Sequence, residues 1–141
     1  GKEVITKPTL IIWRNCMKLM QDIKEFMNMK GAALTLEDYQ EFCKTTAIYP
    51  ANTKLMYPAL GLAGEAGEVA NKVKKLIRDG ASKRPDDWKE QIAAELGDVL
   101  WYCSALATDL DISLGRVAKD NMNKLSSRKD RGTIGGSGDK R

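Results

Sequence analysis

The chain has 141 residues, 43% of them hydrophobic and 30% charged, with a formal net charge of +4. That length suffices for one domain-sized core, and the composition is that of a globular protein. Histidine is absent and the three cysteines, Cys16, Cys43 and Cys103, are widely spaced, which excludes finger-type zinc sites, a disulfide framework and histidine-based acid/base chemistry.

Residues 1–8 read as irregular. A helix is expected over about 9–30, with Leu10, Trp13, Met17, Met20 and Met27 at helical spacing. Its Met and Lys content suits a membrane surface, but a packing or dimer helix is the favoured expectation. No apolar run approaches the ~20 residues of a membrane span. The short TLIIW lacks the length of a signal-peptide core, so a cytoplasmic protein is expected. Strand-type alternation is weak throughout and helical spacing is frequent, which predicts an all-α fold.

The second helix is expected to start at TLED, with Thr35 as N-cap and Asp38 three residues on, and to end near Thr46. A third covers about 55–79 and stops at Gly80, with Pro58 tolerated only in its first turn. ASKRPDD is a loop feeding a fourth helix, with Pro85 near its first position and Asp86 and Asp87 favouring the N-terminal dipole. That helix should run to about Leu110. A fifth begins at Ser113 and fades near Ser127. The expected organisation is an N-terminal extension over 1–34, a helical domain over 35–127 and a basic, glycine-rich tail over 128–141. The whole positive excess lies at that end, since Lys124, Arg128, Lys129, Arg131, Lys140 and Arg141 face only Asp130 and Asp139. The tail reads either as a solvated basic segment or as one that meets an anion.

The third helix contains GLAGEAGEVANKVKKL, with glycines that each cost about 1 kcal/mol relative to alanine. On a helical wheel with Glu65 at zero, Glu68 lies about 60° to one side, Lys72 about 20° and Lys75 about 80° to that same side. Leu62, Val69, Val73 and Leu76 lie to the other side. The fourth helix repeats the pattern. Glu95 and Asp98 are about 60° apart with Tyr102 beside them, and Ile92, Leu96, Val99, Cys103 and Leu106 form the stripe. Two helices joined by a short loop pack antiparallel, so matched stripes bring four carboxylates to one edge of the core. A single ExxE is more often an ordinary helix surface, in which Glu68 and Lys72 form an i,i+4 pair. Two matched pairs repel unless something neutralises them, and Mg²⁺ takes carboxylate oxygens together with waters and phosphates. Small residues at 61, 64, 67 and 97 leave room for metal and ligand or permit close helix approach.

GLAGEAGEV, AAELGDVLWY and NMNKLSSRKDRG resemble the MazG-like nucleoside triphosphate pyrophosphohydrolases, over about residues 35–141. The resemblance implies a helical bundle of about four to five helices with an antiparallel central pair, assembled as a dimer or tetramer. It implies Mg²⁺-dependent (or Mn²⁺-dependent) hydrolysis of an NTP or dNTP to nucleoside monophosphate and pyrophosphate, serving nucleotide-pool house-cleaning or regulation. Carried over by position, Glu65, Glu68, Glu95 and Asp98 hold the metal, with Glu65 the choice for the base. Asn121 and Lys124 match a nucleotide-contacting N..K, Lys72 and Lys75 are placed to meet phosphates, and Tyr102 to meet sugar or base. Trp101 is assigned to core or interface. Arg128 and Arg131 open the segment RGTIGGSGD, which either closes over the triphosphate or is disordered. The competing readings are a non-catalytic helical nucleotide sensor or oligomerisation module and, more weakly, a nucleic-acid binder.

Overall fold

The computed structural model describes residues 33–135 together with 17, 18, 21 and 137. The chain divides into two compact units, Gly1–Leu34 and Thr35–Arg141. The expected helix over 9–30 lies outside the described residues except at 17, 18 and 21, which are helical. The second unit carries four helices, and no strand occurs among the described residues. They are α1 (Leu36–Thr46), α2 (Met56–Asp79), α3 (Trp88–Asp109) and α4 (Leu114–Asp130), an all-α fold as the sequence predicts.

Local chemistry fixes most boundaries. Thr35 and Asp38 form a complete capping box at the start of α1, satisfying two of the N–H groups that a helix start leaves unpaired. Ser113 caps α4 by accepting from the Arg116 N–H at 3.0 Å. Gly80 ends α2 at φ +68°, its N–H donating to the Leu76 carbonyl, a backbone setting open to glycine at little cost. Two helix ends differ from the sequence expectation. α3 starts at Trp88, so Pro85 precedes the helix instead of occupying its first turn. A short 3-10 turn over Ala81–Lys83 takes up part of the connection. At the other end, α4 runs three residues past Ser127, through Arg128, Lys129 and Asp130. Arg128 is 5% exposed and therefore belongs to the packed helix, not to a solvated tail. Thr133 N–H donates to the Arg128 carbonyl at 2.8 Å, which folds the chain back over the helix end.

α2 and α3 form the central antiparallel pair. Leu55 N–H, at the entry to α2, donates to Asp109 Oδ2 near the end of α3. Farther along, Gly61 faces Tyr102 and Lys72 faces Glu95. α1 and α4 pack against α3. The buried centre consists of Cys43, Pro58, Ser104, Ala105, Ala107 and Leu114 with Gln40. Gln40 spans this junction: its amide NH₂ donates to Thr108 Oγ1 and the Ile112 carbonyl, and its oxygen accepts from Leu114 N–H at 2.7 Å. One buried side chain thus ties α1 to the α3–α4 turn. Trp101 is half-buried and donates from Nε1 to Thr46 Oγ1 at 2.7 Å, at the exposed end of α1.

Candidate metal centre and its flanks

The antiparallel pairing of α2 and α3 brings Glu65, Glu95 and Asp98 together, with one carboxylate oxygen of each within 4.8 Å of the others. Glu65 and Glu95 are half-buried and Asp98 is exposed. Glu68, one turn beyond Glu65, is exposed and lies outside this trio, though its charge still reaches Glu65. The Glu65 carboxyl holds its proton more tightly than usual. Desolvation is the main cause, followed by the charges of Asp98 and Glu95, a hydrogen bond with Glu95, and Glu68. Clustered carboxylates resist ionising together in this way until a cation arrives.

The donor set fits a hard divalent cation. It is all oxygen, and one ion can span three oxygens this close together.

Lys72 reaches across from α2 to Glu95, with Nζ 3.2 Å from Oε1. The i,i+4 pairing with Glu68 drawn from the helical wheel gives way to this cross-helix pair, because Glu95 is the less exposed partner and already sits among like charges. Lys75 is exposed one turn farther along. Tyr102 flanks the carboxylates on the opposite side. Its hydroxyl is held neutral to higher pH than usual by burial, by Tyr57, and by the charges of Glu65 and Asp98. The Tyr102 ring lies edge-on to Trp101 at 5.0 Å and 6.4 Å from Tyr57, which stacks on Tyr49 at 5.0 Å.

Not every expected site residue converges. Asn121 and Lys124 are exposed on α4, which packs against α1 and α3. Among the described residues, neither makes a hydrogen bond or ion pair with the carboxylates. Arg131 lies just past α4 and donates to Ser127 Oγ at 2.6 Å. Of the four glycines on α2 and α3, only Gly61 serves close approach: a Cβ there would stand 2.1 Å from Tyr102 Cε1, and on α4 Gly115 is closely approached by the Glu37 carboxylate. Gly64, Gly67 and Gly97 face open space. The sequence reading missed Lys83, Arg84 and Trp88, which join Lys72 and Lys75 around a cleft at the closed end of the helix pair. Their signal was the basic run KKLIRDGASKR leading to a tryptophan.

The hairpin sets an ExxE on α2 against an ExxD on α3, the pattern on which the resemblance to the MazG-like family rests, and comparison with known families agrees. The family model for the MazG nucleotide pyrophosphohydrolase domain matches residues 55–133, which span the whole α2–α3 hairpin and α4. The chain belongs to this family. It is also similar to the Gene 37 protein of Mycobacterium phage L5, at 50% identity over 109 residues that cover 73% of this chain and 96% of the relative. No solved structure matches the chain. No helix among the described residues is long and apolar enough to cross a membrane.

Proposed function

We propose that this protein hydrolyses nucleoside triphosphates, ribo or deoxy, to nucleoside monophosphate and pyrophosphate with Mg²⁺ or Mn²⁺. The observation that carries the reading is the convergence of Glu65, Glu95 and Asp98 from two antiparallel helices inside the segment matching the family. These three, with Glu68 at the edge, would hold the cation. When bound, the cation supplies charge neutralisation at phosphoryl oxygens and acidifies water.

The chain's own groups divide the remaining work. Glu65, with its raised proton affinity, is suited to accept a proton from the attacking water. The water oxygen bonds to the α-phosphorus, the α–β anhydride bond breaks, and pyrophosphate departs with the electron pair. Lys72 and Lys75 face the growing negative charge. Tyr102, held between Gly61 and Trp101, presents a neutral phenol to the sugar or base. Asn121, Lys124 and Arg131 are assigned to nucleotide contact, as the resemblance implies, while Arg128, only 5% exposed, is set in the packed end of α4 and is not assigned to direct contact. We assign the active form to a homo-oligomer, supported by the apolar surface that α2 and α3 leave uncovered and by the open space over Gly64, Gly67 and Gly97.

The test is a panel of ribo- and deoxyribonucleoside triphosphates with and without Mg²⁺, with monophosphate and pyrophosphate quantified. Metal-dependent pyrophosphate release is expected. Glu95→Gln and Asp98→Asn should each reduce it by about 100-fold or more, the scale of losing several kcal/mol of charge stabilisation. Binding of nucleotide and Mg²⁺ without turnover of any triphosphate would replace the hydrolase with the sensor reading.

A further inference from the structure

Along the α2–α3 pair, the regions on either side of the carboxylate trio differ. Towards the open end of the hairpin stand the phenol rings of Tyr102 and Tyr57. Towards the closed end lies a cleft of about 160 Å³ that includes Lys72, Lys75, Lys83, Arg84 and Trp88 in its walls. Lys72 belongs to both regions, since it lines this cleft and also bonds Glu95. Along α3, Trp88 precedes Glu95 by seven residues, a rise of about 10 Å, which is the length scale of a nucleotide's phosphate chain.

The charge of the cleft is unbalanced. Its carboxylate, Asp79, is gripped by two guanidinium nitrogens of Arg78 at 2.6 and 2.8 Å. The charge of Lys75 also helps hold Asp79 ionised. Lys75, Lys83 and Arg84 form no ion pair among the described residues. Arg84 is instead laid over the Trp88 ring at 5.0 Å. That contact holds the guanidinium in place, with its edge available for bidentate contact with an oxyanion. Lys89 approaches the same ring at 5.7 Å. A preassembled set of cations beside a cation-binding carboxylate trio suits a ligand with several adjacent negative charges better than a single phosphate.

We propose that this cleft is the subsite for the departing pyrophosphate, that is, for the β- and γ-phosphates of the substrate, with Lys75, Lys83 and Arg84 as its anion donors and Trp88 as the platform that positions Arg84. The inference rests on the hydrolase reading for its place in the reaction, but the binding itself is measurable without turnover. Pyrophosphate would draw Lys72 from Glu95 towards the cleft, coupling occupancy of the subsite to release of a carboxylate for the cation.

The test is titration of the full-length protein with inorganic pyrophosphate in the presence of EDTA, followed by calorimetry and tryptophan fluorescence. Saturable binding is expected, with a fluorescence change that disappears in Trp88→Phe. Lys83→Ala/Arg84→Ala, at exposed loop positions and checked for unchanged helicity by circular dichroism, should weaken pyrophosphate by about 10-fold or more. Binding of inorganic phosphate should change far less. Pyrophosphate product inhibition should weaken in parallel where turnover is present. An unchanged pyrophosphate affinity in the double variant, or a fluorescence change that persists in Trp88→Phe, would overturn the assignment. Pyrophosphate binding at the cleft in a protein that hydrolyses no nucleotide would sink the hydrolase reading and the leaving-group role with it, and leave the cleft as a diphosphate-binding site.

Discussion

Glycine is expensive inside a helix, and α2 contains three within seven residues, at 61, 64 and 67. The structure separates their reasons. Gly61 lies under the Tyr102 ring, where a methyl group would meet Cε1 at 2.1 Å and Cζ at 2.3 Å. The ring has little room to retreat, being packed edge-on against Trp101 and lying 6.4 Å from the Tyr57 ring. Gly61→Ala should therefore destabilise the fold by about 1–3 kcal/mol, the usual cost of overpacking, despite the better helix propensity of alanine. Gly64→Ala meets nothing within 4 Å and should stabilise the isolated chain by up to about 1 kcal/mol. If the open space over Gly64 serves ligand or a second subunit, this variant gains stability while losing activity or assembly. Urea unfolding of both variants, read beside their turnover, checks the pair of signs. A stabilised and fully active Gly64→Ala protein would remove any functional reason for that glycine. In the sequence, the helical wheel already puts Gly61 on the carboxylate side and lets Gly64 and Gly67 drift away from it. The position of Tyr102, set by the pairing of two helices, adds what a side chain at 61 would meet.

At the scale of the elements, the junction of α1 with the α3–α4 turn is organised around one residue. Gln40 satisfies Thr108, Ile112 and Leu114 at once, and it is only 6% exposed. Gln40→Leu fills similar volume but strands the Leu114 N–H and the Ile112 carbonyl. Each buried unpaired backbone group costs about 1–3 kcal/mol, so a loss of about 3 kcal/mol is expected in denaturant unfolding, whereas Glu41→Ala on the exposed face of the same helix should change little. Comparable stability in the two variants would mean that water enters the junction and replaces the glutamine. This junction was not legible in the sequence, because a glutamine in a helix carries no mark of being buried. What was legible had local causes: the Thr35–Asp38 box, the Gly80 stop, the Ser113 cap and the repeated acid spacing on two helices. The acid spacing gave the face of each helix but not the depth of each acid. The structure therefore groups Glu65, Glu95 and Asp98 and leaves Glu68 at the margin. Likewise the start of α3 depended on how the loop folds, through a 3-10 turn that puts Pro85 outside the helix.

For the molecule as a whole, the central pair buries little for its length. Of the 24 residues of α2, only Pro58 is buried. Leu60 is 69% exposed, Ile77 80% and Leu96 58%, with Val73 and Leu100 at 40%. The stripes read from the sequence are therefore covered only in part: Leu62, Val69, Leu76, Ile92, Val99 and Leu106 are half-buried, while their neighbours face outward. An apolar surface spread over two adjacent helices is a surface to be covered, and helices pack by matching such ridges to another helix pair. A second copy of the chain offers the matching hairpin, which is why we assign the active protein to a homo-oligomer. Light scattering coupled to size-exclusion chromatography should then give a mass at least twice the 15.6 kDa of the chain. Leu96→Ser with Leu100→Ser should reduce that mass to a monomer while adding no charge beside the carboxylate trio. Loss of activity along with the mass would show that the site draws on a neighbouring subunit, and retained activity in the monomer would confine the site to one chain. A parent protein that runs as a monomer at all concentrations would overturn the assembly and leave the exposed leucines for another partner.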